Sequence, residues 1–193
     1  MRLSEVDRGD TLIHRVLIRT ISRVAGYRLP DAARVAFYDK GFVGPALGAW
    51  TQKAMREPSS WSVSDRELMA AMVASWNLCP FCVGAHRAIA VRGMDPAVAE
   101  AALADYRTAP IDDRLRAALV FLEQVTLHPD RLSAADVRVA LDAGLSVQEL
   151  EDAAAVAAVF AVITRNANAL DYAIPSADEF DSAAVMLLRR GYS

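Results

Sequence analysis

The amino-acid sequence predicts an all-α protein. Apolar residues recur at helical spacing in one segment after another, no stretch alternates apolar and polar residues over the length of a strand, and residues suited to helix caps separate the segments. The chain has 193 residues, of which 54% are hydrophobic and 23% are charged. This length and composition fit a single globular domain over 1–193 that buries a full core.

The first predicted element is an amphipathic helix within an N-terminal extension over residues 1–30. Within 11–24, apolar side chains such as Ile13, Val16 and Ile21 fall at helical spacing, and arginines interrupt the run. A secretory signal would instead contain an unbroken apolar stretch. We expect the helix to dock on its own domain or on a partner subunit, with a membrane-surface position as the alternative.

Nine further helices are predicted, most of them between a capping residue and a glycine or proline. Asp31 is predicted to cap the first of these helices and Gly41 to end it. The helix over 147–172 is apolar most of the way round, which predicts that it is the central buried helix. The predicted ranges are 32–39, 45–56, Ser64 to Trp76, Pro80 to the residues before Gly93, 96–105, about 112–127, 133–144, 147–172 and, within a C-terminal segment over 176–193, 177–190.

The balance of charges argues against a nucleic-acid partner. Lys and Arg number 21 and Asp and Glu number 24, which gives a formal net charge of −3, and such a chain lacks the positive field that attracts a phosphate backbone. No run of about 18 or more apolar residues occurs, so no transmembrane helix is expected. Two cysteines do not indicate a disulfide-rich secreted scaffold. The expected location is the cytoplasm.

The segment CPFCVGAH, residues 79–86, carries the residues with the clearest chemistry. On a continuous helix, Cys79, Cys82 and His86 lie within an arc of about 60° on one face, whereas Phe81 points the opposite way, toward the core. Cysteines at i and i+3 have Cα atoms about 5–6 Å apart, which suits a disulfide. The first turn of a helix stabilises a thiolate, and His86 can reach the Cys82 sulfur and act as its base. The arrangement predicts a redox dithiol.

Glu67 has two compatible interpretations. It occupies the N3 position of a possible capping box that begins at Ser64, which is a structural role. If the helices on either side of Asn77–Leu78 form an antiparallel hairpin, Glu67 and His86 differ by only about 4.5 Å along the axis. A glutamate side chain, directly or through one water, spans that distance. Glu67 would then orient His86 and hold its proton.

Two other interpretations of the cysteine motif are open. The cysteines could be reduced, inert thiols that pack as small apolar residues. The two cysteines and His86 could instead supply three ligands for zinc, with Glu67 as a fourth. A redox dithiol requires neither a metal nor an organic cofactor, and the sequence contains no GxGxxG fingerprint for a flavin or a nicotinamide.

The pattern resembles the AhpD-like alkylhydroperoxidase and carboxymuconolactone decarboxylase superfamily. The shared pattern is a glutamate, a cysteine twelve residues later, and then C-x-x-C-x-x-x-H, which Glu67, Cys79, Cys82 and His86 supply here. The segments RELMAAMVASWN and VITRNANALDY also look like family segments, and the likeness extends over about 36–175. The resemblance implies an all-α fold built around a helical hairpin that carries the dithiol, and assembly into homo-oligomers.

Peroxidase members of this superfamily reduce hydroperoxides, and the resemblance implies a role for each residue of the pattern. Cys82 would attack the peroxide, Cys79 would resolve the sulfenic acid as a disulfide, His86 would be the base and Glu67 its proton-relay partner. An external dithiol or protein reductant would recycle the disulfide. Phe81 departs from members that have a histidine before the second cysteine, which puts the full relay and the peroxide substrate in question.

Other functions remain open beside the peroxidase. A chain that keeps the fold could be a non-catalytic helical oligomer, whose thiols would titrate near their ordinary pKa of about 8.5. A zinc-binding structural protein is the other alternative. Decarboxylase-type members generally lack the dithiol, so decarboxylation is not expected.

Overall fold

The computed structural model describes residues 1–38 and 44–192. Over these ranges the chain forms eleven α-helices and no β-strand, which confirms the predicted all-α class. The helices are α1 Ser4–Arg8, α2 Leu12–Ala25, α3 Asp31–Tyr38, α4 Pro45–Arg56, α5 Val63–Trp76, α6 Pro80–Ala90, α7 Pro96–Asp105, α8 Asp113–Leu127, α9 Ala134–Asp142, α10 Val147–Leu170 and α11 Ala177–Arg190. The predicted helix end at Gly41 lies outside the described residues. The sequence does not predict α1, because its 5 residues are too few to show a period.

The beginning of α5 differs from the prediction. Ser62 is the N-cap, in extended conformation, and it forms a reciprocal capping box with Asp65. The predicted capping box from Ser64 to Glu67 is therefore wrong, because Ser64 already lies inside the helix. The Glu67 side chain is left free for a role other than capping.

Other helix ends also differ from the prediction by one or two residues, and two of them are informative. Asp31 is the first residue of α3 rather than its cap, and its carboxylate accepts a hydrogen bond of 2.7 Å from the backbone N–H of Ala173. This carboxylate therefore ties α3 to the segment after α10. The helix that opens at Pro80 ends at Ala90, before the chain reaches Gly93.

The core is built around α5. Every residue of α5 from Arg66 to Ala74 is buried, and the helix packs against α4, α6, α7, α8 and α10. Alanines within this stretch let neighbouring helices approach closely on several sides. The helix predicted to be central, α10, buries one face through Val156 and Phe160 but exposes Arg165 on another.

One helix in the described part of the chain is long and apolar enough to cross a membrane. This helix is Val147–Leu170, with a mean hydropathy of 1.4 over its most apolar window. The core helix of a globular domain meets the same criteria of length and composition. Because this helix packs against α4, α5 and α8, its apolar residues already have a structural role in the core.

Helices α5 and α6 form the predicted antiparallel hairpin. Leu78 turns the chain with a φ of 53°, in the left-handed region. The N–H of Cys79 then donates to the carbonyl of Ala74 at 2.9 Å, which closes the end of α5. The side-chain amide of Asn168, on α10, donates to the carbonyl of Asn77 at 2.9 Å. Hydrogen bonds from Cys79 and from Asn168 thus fix the turn before the dithiol.

The apolar face of α2 points away from the protein. Its one buried residue is Ile18, on the side that contacts α1 and α3, whereas Leu12, Ile13 and Val24 are each at least 75% exposed. The helix thus docks on its own domain through Ile18 and not through the exposed apolar face. Docking on a partner subunit stays a prediction.

We expect Gly84→Ala to loosen the packing of α6 on α11. A Cβ atom at this position would lie 2.5 Å from the Phe180 ring, which packs against Phe81 and has to move. The free energy of unfolding, measured with a chemical denaturant, should fall by about 1–3 kcal/mol. Adding Phe180→Leu should recover part of the loss, and fully additive losses would contradict this account.

Candidate active site

The α5–α6 hairpin brings Glu67 and His86 into direct contact. Oε2 of Glu67 lies 2.6 Å from Nδ1 of His86, and both side chains are buried. No bridging water is needed. The structure therefore brings together two of the four predicted site residues, in the geometry that the hairpin hypothesis required.

Arg56, at the end of α4, contacts the other oxygen of the same carboxylate. Its Nη2 lies 2.7 Å from Oε1 of Glu67, and the guanidinium is nine-tenths buried. Nη1 donates to the carbonyl of Met55, but Nη2 and Nε have no acceptor in hydrogen-bonding alignment. The contact is thus an ion pair that compensates the charge of Glu67 without a well-directed hydrogen bond.

Tyr192, in the segment that follows α11, is a third partner of Glu67. Its hydroxyl donates to Oε1 of Glu67 at 2.9 Å and lies 3.2 Å from Oε2 and 3.4 Å from Nδ1 of His86. Sequence reasoning did not single out Tyr192 or Arg56, because no spacing rule relates residues on other helices to the motif. Only the tertiary structure brings them to the carboxylate.

These contacts set the ionisation of Glu67. Burial by itself raises the pKa of the carboxyl group. The hydrogen bond from His86 and the positive charges of His86 and Arg56 outweigh burial, so the pKa of Glu67 lies below its ordinary value. Glu67 is therefore a carboxylate at neutral pH, held by three side chains.

The two cysteines lie at the beginning of α6. Cys79 is the N-cap residue, with φ −109° and ψ 87°, and Cys82 lies in the first turn. The predicted placement of Cys79 on the helix itself is wrong by one residue. Both are free thiols, and both are buried in an apolar cluster that includes Val6, Val35 and Tyr172.

The dithiol shares its protons unequally. The hydrogen bond from the Cys82 side chain outweighs the effect of burial and lowers the pKa of Cys79 to about 7. The same hydrogen bond, together with burial, raises the pKa of Cys82 well above its ordinary value. The two thiols therefore titrate as a coupled pair, in which Cys79 has the lower pKa.

His86 does not hydrogen-bond to either sulfur. Its partners in the described part of the chain are Glu67 and Tyr192, and its ring packs edge-on against Phe160 with centroids 4.4 Å apart. The predicted direct contact between His86 and the Cys82 thiol is therefore not formed. Because Nδ1 is engaged by Glu67, Nε2 is the ring nitrogen left to exchange a proton.

Tyr172 is a second aromatic residue near the dithiol. Its ring packs edge-on against Phe81 with centroids 5.2 Å apart. Burial and then the negative charges of Cys82, Asp31 and Cys79 raise the pKa of its phenol. Tyr172 therefore stays protonated, with its ring in the cluster that contains both cysteines.

The four predicted site residues form two pairs. The cysteines contact each other, and Glu67 contacts His86. Among the residues described, no three His, Cys, Asp or Glu side chains are grouped as a metal site. A zinc site would require the cysteines and His86 to converge on one point. The described residues do not form such a group.

Solved structures with a similar fold exist, two of them described as peroxidase-related. No protein-family model matches the chain, and no curated protein does. A solved structure described as an alkylhydroperoxidase AhpD core, an uncharacterized peroxidase-related protein from Ralstonia eutropha JMP134, is 26% identical to this chain. Its TM-score is 0.71, with 88% of this chain and 87% of that chain covered. An uncharacterized peroxidase-related protein from Silicibacter sp. TM1040 is 24% identical, with a TM-score of 0.76 and 93% of each chain covered.

The chain has the AhpD-like fold. The superfamily resemblance that the cysteine motif indicated is thereby confirmed.

The same fold occurs in a debrominase. The debrominase Bmp8 is 20% identical to this chain, with a TM-score of 0.67, and 91% of this chain and 94% of that chain are covered. A cysteine-to-alanine variant of Bmp8 in complex with 2,3,4-tribromopyrrole is also 20% identical, with a TM-score of 0.69 and coverage of 90% and 94%. This likeness concerns the fold alone.

We expect Glu67→Gln to destabilise the protein by about 3 kcal/mol at neutral pH, because it leaves the buried Arg56 charge without its counter-ion. Glu100→Gln is the matched control, since the exposed pair between Glu100 and Arg87 contributes about 1 kcal/mol or less. Denaturant unfolding at neutral pH measures both losses. Equal losses of unfolding free energy in the two variants would contradict the role of Glu67 as the counter-ion of Arg56.

The difference between wild type and Glu67→Gln should also depend on pH. Because the pKa of Glu67 is lower in the folded than in the unfolded chain, its stabilisation is complete above the ordinary value of 4.5 and is lost as the pH falls below it. The gap in unfolding free energy between the two proteins should therefore narrow below pH 4.5. A gap that stays constant would show that the charge of Glu67 is not what stabilises the fold.

The first thiolate should form with a midpoint near pH 7 in wild type, as measured by the ultraviolet absorbance of thiolates. Cys82→Ala removes the donor to Cys79, and the midpoint should rise toward about 8.5. Cys82→Ser keeps a hydroxyl donor and should retain part of the lowering. A wild-type midpoint near 8.5 would instead favour inert thiols.

Proposed function

We propose that the protein is a thiol-dependent peroxidase that reduces hydroperoxides with the Cys79–Cys82 dithiol. The proposal rests on the residues of α6. Two free thiols lie at its beginning, and one turn later a histidine forms a hydrogen bond with a buried glutamate. The AhpD-like fold and the peroxidase-related neighbours support it.

The reaction balances without a cofactor. A sulfur attacks one peroxide oxygen, so that an S–O bond forms, the O–O bond breaks and the alkoxide takes a proton to leave as an alcohol. The second sulfur then attacks the sulfenic acid, an S–S bond forms, and the hydroxyl group leaves as water after it takes a proton. The dithiol is oxidised by two electrons, the hydroperoxide is reduced by two, and the two thiols supply both protons.

We propose the roles that the resemblance implies, with Cys82 as the attacking sulfur and Cys79 as the resolving sulfur. Because the pKa of Cys82 is raised and that of Cys79 is lowered, the Cys82 proton has to leave before Cys82 attacks. The Cys79 thiolate is the acceptor we propose, since the two thiols titrate as a coupled pair. The resolving thiol would therefore also serve as the first proton acceptor.

We propose that His86 moves protons through Nε2 and that Glu67 acts through His86. The 2.6 Å contact fixes the orientation of the imidazole ring and leaves Nε2 free to exchange a proton. A protonated His86 would then deliver a proton to the alkoxide or to the departing hydroxyl group. This role does not require His86 to touch a sulfur in the resting protein.

The surroundings of the dithiol favour an organic hydroperoxide. Cys79 and Cys82 belong to an apolar cluster with Phe81 and Tyr172. An alkyl group gains from contact with such a surface, whereas hydrogen peroxide does not. Because both sulfurs are buried, we propose that the substrate reaches them by displacing some of the apolar side chains around them.

The proposed cycle needs partners. The chain has only these 2 cysteines, so electrons that reduce the disulfide must come from an external dithiol or a protein reductant. We propose a cytoplasmic location, where such reductants keep thiols reduced, and a homo-oligomer in which the exposed face of α2 meets another subunit.

Reductive debromination is the second candidate, on the ground that a debrominase has the same fold. A dithiol could reduce a carbon–bromine bond with the same electron count. The C–Br bond breaks, bromide leaves, a proton takes its place on carbon, and the two thiols become a disulfide. The assay below therefore includes 2,3,4-tribromopyrrole as a second substrate.

One equivalent of cumene hydroperoxide should convert both free thiols of the wild type to a disulfide at neutral pH without air, as counted by thiol titration. If Cys82 attacks, Cys79→Ser should accumulate a sulfenic acid that dimedone traps, and Cys82→Ser should react far more slowly.

Three results would change these assignments. The opposite behaviour of the two serine variants would reverse the roles of the sulfurs. Thiols that stay reduced with the hydroperoxide but are oxidised by the bromopyrrole would favour debromination. Thiols that react with neither substrate would favour the non-catalytic oligomer.

A further inference from the structure

The segment after α11 carries a tyrosine into the site. Helix α11 ends at Arg190, and Gly191 turns the chain with a φ of 73°, a conformation that favours glycine. The backbone N–H of Tyr192 then donates to Oε1 of Gln52, on α4, at 2.7 Å. This backbone contact fixes the point from which the Tyr192 side chain enters the protein.

Two glycines make the close approach of this segment to α4 possible. A Cβ atom at Gly48 would lie 3.0 Å from the carbonyl oxygen of Tyr192, and a Cβ atom at Gly191 would collide with the Gln52 side chain. The segment therefore lies close against α4, and a side chain at either position would require a neighbouring group to move.

The phenol of Tyr192 is enclosed by the polar cluster. The Arg56 guanidinium lies over its ring at 4.8 Å from the centroid, and the His86 ring lies nearly parallel to it, with centroids 6.3 Å apart and an angle of 27°. Its hydroxyl donates to Glu67 at 2.9 Å. One side chain therefore contacts all three other members of the cluster.

The hydroxyl of Tyr192 has a specific task at Glu67. His86 approaches Oε2, whereas Oε1 receives the poorly directed ion pair from Arg56 and the hydrogen bond from Tyr192. Because Arg56 supplies charge but little direction, the Tyr192 hydroxyl is the group that sets the rotation of the carboxylate. With that hydroxyl absent, Glu67 could turn toward Arg56 and away from Nδ1 of His86.

We propose that Tyr192 is a positioning residue of this site, which holds the Glu67 carboxylate in the orientation that receives Nδ1–H of His86. The segment after α11 is then part of the active site. The effect on catalysis rests on the proposed peroxidase function, whereas the effect on the hydrogen bond between His86 and Glu67 does not.

The test uses Tyr192→Phe, which keeps the ring and removes only the hydroxyl. Its matched control is Tyr106→Phe, which removes a tyrosine–glutamate hydrogen bond of the same 2.9 Å length, to Glu123, away from the site. The first readout is the nuclear magnetic resonance signal of the His86 Nδ1–H, identified by its loss in His86→Gln. The second is the rate at which cumene hydroperoxide oxidises the dithiol.

We expect the His86 signal to move in Tyr192→Phe and to stay in place in Tyr106→Phe, because only the first variant alters the partners of Glu67. The oxidation rate should fall about tenfold in Tyr192→Phe alone. An unchanged His86 signal in Tyr192→Phe overturns the proposal whatever the rate. If hydroperoxide does not oxidise the wild-type dithiol but the His86 signal moves in Tyr192→Phe, the proposed function is overturned and the positioning role is supported.

Discussion

The site depends on one buried negative charge, the carboxylate of Glu67. An ionised carboxylate in the interior is stable only if positive charges and hydrogen-bond donors replace the water it has lost. Arg56 from α4, His86 from α6 and Tyr192 from the segment after α11 supply that replacement. The requirement to compensate one charge therefore brings three separate parts of the chain to the same point on α5.

Helix α6 joins this polar cluster to an apolar one. His86 contacts the carboxylate, while Cys82, one turn earlier on the same helix, lies with Cys79 among Val6 and Tyr172. The two clusters have different properties, because the polar one can hold and move protons and the apolar one holds sulfurs that can exchange electrons. The hairpin with α5 keeps α6 at a fixed position between them.

The pKa of Cys79 is set mainly by the other thiol of the pair, Cys82. The sequence suggested that His86 would activate a sulfur directly, but the lowered pKa of Cys79 arises from the hydrogen bond of its neighbour Cys82. In the proposed function His86, engaged by Glu67, would instead supply protons to the oxygen atoms of the substrate. This separation also accommodates Phe81 before the second cysteine, since the aromatic ring packs with Phe180 and takes no part in proton transfer.

Features that depend on neighbours along the chain could be predicted from the amino-acid sequence. Helical periodicity and capping residues predicted ten helices whose ends, where the structure describes them, agree within about two residues. Given a hairpin between α5 and α6, the spacing of Glu67 and His86 also predicted their contact. These features follow from the fixed rise and rotation of an α-helix, which make spacing in sequence a measure of position in space.

The tertiary structure alone decided which side chains complete the site. Arg56 and Tyr192 lie 11 and 125 residues from Glu67 in the chain, and they meet it only because α4 and the segment after α11 pack beside α5. It also decided that the apolar face of α2 points outward and that α5 is enclosed on all sides. Such features depend on how helices pack against one another, and no local rule of spacing or propensity carries that information.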